Sequence, residues 1–80
     1  MNRKEDPNVE KIKPEIYYMT SMVFFLTKHW NKSSQEFVEL DKKYEILSYL
    51  NDGYESFHLT GDVGVAEELE QYIRDQGGDI

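Results

Sequence analysis

Apolar residues between Ile16 and Trp30 are packed too densely to fit on one narrow helix face. At about 100° per residue, Ile16, Tyr18, Met19, Met22, Val23, Phe25, Leu26 and Trp30 cover roughly half the helical cylinder. His29 falls in the same sector. Tyr17 and Phe24 lie one heptad apart on the opposite side, with Ser21 between them. A helix that is apolar on two sides is either central in its fold or shares one side with a partner. Pro14 suits the first turn, where a missing N–H costs nothing, and Glu15 complements the positive helix start. The pattern predicts a central helix from about Pro14 to Trp30, with Tyr17 and Phe24 as a candidate seam for a second copy.

The rest of the chain supplies elements to pack on it. Ser33-Ser34-Gln35-Glu36 reads as a capping box. It opens a short helix over about 34–43 that sets Phe37, Leu40 and Tyr44 on one face, with Val38 beside them. Ile46, Leu47, Leu50, Tyr54 and Phe57 then share a stripe of roughly 100° if that segment is helical throughout. Asn51-Asp52-Gly53 is a turn signal that disagrees. The favoured reading is one helix over about 44–59, distorted at Gly53; the alternative is a helix ending at Asn51, a turn and a second short helix. Thr60-Gly61-Asp62 is a break, with Asp62 as the expected N-cap. Val65, Leu69, Tyr72 and Ile73 form the next apolar face, and Gly77 is expected to end that helix in a left-handed conformation. No period-two pattern is sustained. The expected fold is all-α, a compact bundle of three to four short helices. Residues 1–13 are expected to form a charged, disordered N-terminal tail, 14–77 the single domain and 78–80 a C-terminal tail.

With 80 residues the chain is one domain of marginal core size. It has no Cys, so neither a disulfide nor a thiolate metal site can brace it. That leaves self-association, a homodimer, as the expected reinforcement, and the lack of Cys fits a reducing cytoplasm. The apolar stretch falls short of the roughly 20 residues a membrane span requires. The mixed charges before it and the lack of a cleavage pattern argue against a signal peptide.

Charge narrows the partner class. The net charge is −7. Residues 1–43 sum to +1, whereas residues 44–80 carry nine acids and one Arg, a local charge of −8. Such a half repels nucleic acid and attracts a basic protein. Glu67, Glu68 and Glu70 lie off the apolar centre of the last helix and form the candidate acidic face. A helix-turn-helix reading needs a basic recognition helix. The segment 34–43 offers Gln35, Lys42 and Lys43, but also Glu36, Glu39 and Asp41, so DNA binding is a weak alternative.

A second alternative is a ligand or catalytic site centred on His58, with Tyr54 one turn earlier and Glu55 at the flank. Such a pair can move a proton. Equally, a His in the last turn of a helix interacts with its carbonyl end, with no substrate required. His29, beside Trp30, is read the same way, with burial against the indole expected. The two His residues belong to different elements and form no metal motif, and Gly61-Asp62-Val63-Gly64 lacks the Lys and Ser/Thr of a phosphate loop. No cofactor or metal is expected.

The segments WNKSSQEF, ILSYLNDGYESFHLTGD and VAEELEQYI, in that order, resemble a short bacterial domain-of-unknown-function family, number thirty-seven ninety-one. Tyr54, Glu55, Phe57, His58 and Gly61 carry the resemblance, which spans about Ile16 to Ile73. Phe57 stands where the family usually has an aliphatic residue. The resemblance implies a small helical protein with no established activity, often encoded beside genes resembling ADP-ribosyltransferases. That setting implies a protein–protein interaction role, as the neutralising partner of a toxin-like enzyme. No functional residue carries over.

Overall fold

A computed structural model describes residues 13–80 of the chain. Five helices follow one another among them: α1 Pro14–His29, α2 Ser34–Tyr44, α3 Ile46–Asp52, α4 Tyr54–Phe57 and α5 Asp62–Asp75. The all-α class read from the sequence holds, with no strand among the described residues. Of the expected N-terminal tail only Lys13 is described, as the extended residue that precedes α1.

α1 starts at Pro14, as the missing N–H favours, and its Met22 and Leu26, one turn apart, are buried. It packs against α2, α3 and α5. Asn31 then takes a left-handed conformation, and the Lys32 N–H reaches back to the Thr27 carbonyl at 2.8 Å. The capping box forms as its sequence dictates. The Ser33 hydroxyl accepts from the Glu36 N–H at 3.1 Å, and Glu36 Oε1 accepts from the Ser33 N–H at 2.8 Å. That backbone donor holds the Glu36 carboxyl below its ordinary range.

α2 buries Phe37 and Tyr44, seven residues apart, and stops at Glu45 in a left-handed backbone with φ 56°. α3 begins immediately. Glu45 provides no side-chain cap, and Asp41 takes that role from the preceding helix, its carboxylate accepting from the Leu47 N–H at 2.8 Å.

The favoured single helix over 44–59 is not what forms. The left-handed Glu45 separates it from α2, and it divides at Gly53 into α3 and α4. The division is local. The Gly53 N–H still reaches the Tyr49 carbonyl at 3.1 Å, and its own carbonyl accepts from Phe57 at 2.8 Å. A Cβ on residue 53 would lie 2.5 Å from the Phe57 ring, so the glycine admits that ring against the backbone.

Asp62 is not an N-cap but the first residue of α5, after an extended Gly61 that makes no side-chain cap. Its charge still complements the helix start. α5 buries Val65, Ala66, Leu69 and Ile73 and closes in a Schellman motif. The Gly78 N–H bonds to the Ile73 carbonyl and the Gly77 N–H to that of Arg74, each at 2.9 Å, with Gly77 at φ 84°. Ile80 packs on the core, so the last residues lie against the domain. The Tyr72 hydroxyl donates to the Tyr44 carbonyl, joining the end of α2 to α5.

A left-handed backbone costs a side chain with a Cβ about 1–2 kcal/mol, and a β-branched one the most. Glu45→Gly should therefore exceed Glu45→Val in unfolding free energy by about 1–2 kcal/mol in urea denaturation. Equal stabilities would mean that the α2–α3 joint is not left-handed in solution.

Candidate functional site

The sequence-predicted residues separate into three places. Tyr17 and Phe24 stay on the outer side of α1, 54% and 67% exposed. Lys28 sets its ammonium 4.5 Å from the Phe24 ring centroid, a cation–π contact within the last two turns of the helix. Neither aromatic enters the core.

Glu67 and Glu68 are exposed on α5 and take part in no ion pair among the described residues. Glu70 differs from them and from the expected open acidic face. It is half-buried, and its carboxylate accepts a hydrogen bond of 2.9 Å from the Trp30 indole N–H. The same oxygen lies 3.9 Å from His29 Nε2, an approach that becomes an ion pair when the imidazole is protonated. Glu70 is thus a structural residue that fastens α5 to the end of α1. His29 is not buried against Trp30 as expected; it stacks on Phe25 with centroids 5.0 Å apart, near the surface.

His58 sits just after the last residue of α4 and is exposed. Its ring lies flat on Tyr54 at 4.5 Å between centroids and 13° between planes. Its Nδ1 is 2.7 Å from the Tyr54 carbonyl, which is the helix-end role the sequence allows. Glu55 is exposed and makes no hydrogen bond or ion pair with His58 among the described residues. Behind Tyr54 is a residue the sequence reading did not single out for a site. Tyr18 of α1 meets the Tyr54 ring edge-on at 5.4 Å, and its buried hydroxyl has no hydrogen-bond partner. Burial, then the nearby Asp62 carboxylate and Tyr54, push that hydroxyl above its ordinary pKa.

Two hollows indent the surface elsewhere. One, of about 460 Å³, is lined by Tyr49, Asp52, Gly53, Ser56 and Phe57. The other, of about 210 Å³, lies between α1 and α3 and is lined by Ile16, Met19, Thr20, Val23 and Leu47. His58, Tyr54 and Glu55 line neither. Periodicity does not point to the first hollow: Tyr49 falls outside the apolar stripe of Ile46, Leu47, Leu50, Tyr54 and Phe57, and both Tyr49 and Phe57 are half-buried against the core. Among the described residues no three His, Asp or Glu side chains converge as metal ligands, and no helix is long and apolar enough to cross a membrane.

The two lysines of α2 are exposed and each has a neighbour on the same helix. Lys42 pairs with Glu39 at 3.6 Å, and Lys43 lies 5.4 Å from the Tyr44 ring centroid.

These features define a small, cysteine-free helical domain with a closed core, an aromatic outer edge on its first helix and an acidic last helix. A family model described as "Protein of unknown function (DUF3791)" matches residues 17–76, and the chain belongs to that family. No curated protein and no solved structure matches it.

The Tyr18 hydroxyl is an unpartnered buried polar group, and removing it relieves a desolvation cost. Tyr18→Phe should raise stability by about 1 kcal/mol in thermal or urea unfolding; a loss of similar size would reveal a hydrogen bond at that oxygen. Glu70→Ala should lower stability by about 1 kcal/mol and change the near-ultraviolet signal and fluorescence of Trp30, the single indole. An unchanged indole spectrum would place Glu70 away from it.

Proposed function

We propose that this protein is a protein–protein interaction module with no catalysis of its own. It recognises a basic protein through the acidic face of α5 and pairs with a second copy through the outer side of α1. The carrying observation is that Tyr17 and Phe24 stand open on a helix whose other side is committed to the core. Large exposed aromatics grouped on one helix face are unusual on a lone domain and common where proteins meet. Glu67 and Glu68, in a half of the chain with charge −8, supply the field for a basic partner.

The gene setting that the family resemblance implies, beside genes resembling ADP-ribosyltransferases, is the ground for a more specific role, the neutralising partner of such a toxin-like enzyme in the bacterial cytoplasm. A small acidic module suits that role, since it covers a basic surface without needing a reaction. His58 lies flat on Tyr54 at the surface and outside both hollows, an arrangement that offers a substrate no cleft. Glu36, Glu39 and Asp41 beside the lysines of α2 likewise weaken a DNA-binding role.

Affinity capture from the native host at low and moderate salt tests the partner. The expected result is one basic protein in stoichiometric amount, released as salt rises, and lost from a Glu67→Lys/Glu68→Lys variant. Sedimentation of the purified chain tests the pairing. Tyr17→Ser/Phe24→Ser should sediment as a monomer at concentrations where the parent is a dimer. No partner at either salt, or a parent that is monomeric throughout, overturns the corresponding half of the proposal.

A further inference from the structure

The hollow beside α4 combines features that the acidic face alone does not have. Tyr49 forms its wall, stacked on Tyr72 of α5 with centroids 3.9 Å apart and 19° between planes. Phe57 closes the other side, its ring 5.7 Å from that of Tyr49. Gly53 forms the floor, since any larger residue would collide with Phe57 there. Asp52 sits on the lining, exposed and without an ion pair among the described residues, and Ser56 adds a hydroxyl.

The neighbouring charge has the same sign. Glu68, Tyr72 and Asp75 recur on one stripe of α5. Burial first, then Glu68, Tyr72 and Asp75, push the Tyr49 hydroxyl above its ordinary pKa, so the wall remains a neutral phenol among carboxylates. Among the described residues no Lys or Arg lines the hollow. Arg74, the one basic residue after Lys43, donates instead to the Gln71 side chain at 3.2 Å.

We infer that this hollow accepts an arginine side chain presented by the basic protein partner, the guanidinium lying against the Tyr49 and Phe57 rings and donating to the Asp52 carboxylate. Aromatic faces attract cations through their quadrupole, and a planar guanidinium both stacks on rings and matches the two oxygens of a carboxylate. A lysine ammonium, compact and strongly hydrated, matches only the charge. The inference rests on the proposal that the acidic side of the domain meets a basic protein, and it names the group that is read there.

The test is a titration of the full chain with N-acetyl-arginine amide, followed by backbone amide NMR. Its neutral citrulline counterpart and N-acetyl-lysine amide serve as controls. The expected result is saturable shifts centred on the amides of Gly53, Ser56 and Phe57, clearly larger for arginine than for either control. Asp52→Asn should weaken binding about fivefold. Ser56→Trp, which fills the hollow from an exposed position, should abolish it while the helical circular dichroism is retained. Equal shifts from citrulline or lysine, shifts spread without saturation over α5, or undiminished binding by folded Ser56→Trp would each overturn the assignment.

The two proposals fail separately. A salt-sensitive partner captured equally by parent, Asp52→Asn and Ser56→Trp overturns the arginine hollow and leaves the interaction module standing. Saturable arginine binding by a chain that captures no partner overturns the module.

Discussion

The domain depends on burying Met22 and Leu26 from several directions. Both sit on α1, which packs against α2, α3 and α5. None of those helices is long enough to hold its shape unaided in water, since helices below about 12–15 residues are marginal alone. Their stability comes from the apolar stripe each presents to the others. Phe37 and Tyr44, Ile46 and Leu50, and Val65, Leu69 and Ile73 repeat at four or seven residues and enter one cluster. The exposed aromatics of α1 follow from the same requirement. Four shorter helices cannot surround a sixteen-residue helix, so one side of it stays open.

Polar contacts then fix the relative positions of the helices. The Trp30–Glu70 hydrogen bond fastens the end of α1 to α5, and Tyr72 reaches the carbonyl of Tyr44. Asp41 begins α3 from within α2. Each joins residues whose apolar neighbours are already in contact. They therefore choose among packings more than they create the core.

Much of this was legible in the residues, because helix periodicity and end signals are local. Pro14, the Ser33–Glu36 box and Gly77 behave as their chemistry predicts. The errors fall where a decision was made at a distance. Periodicity favours one helix merely distorted at Gly53, with a turn there as the alternative, but the Phe57 ring needs the space a Cβ would fill, and the helix divides there. Glu70 was read as an exposed acid from its angle on α5. Nothing in its own segment announced Trp30, forty residues earlier, as its partner. The candidate hollow was illegible for the same reason: its wall becomes a wall only when Tyr72 backs Tyr49 from another helix.

Tyr44 illustrates how far such a dependence reaches. Its ring lies so close to Gly78 that a Cβ there would strike the phenol oxygen, and its carbonyl receives the Tyr72 hydroxyl. One residue at the end of α2 is thus covered by the Schellman turn and held by the helix before it. The final turn of α5 and the joint between α2 and α3 therefore belong to one cooperative opening unit, although more than two dozen residues separate them along the chain. Loosening the last glycines uncovers the buried Tyr44 ring beside the left-handed joint, and melting that joint frees the chain end. Hydrogen exchange would see a single event where the linear sequence shows two distant loops.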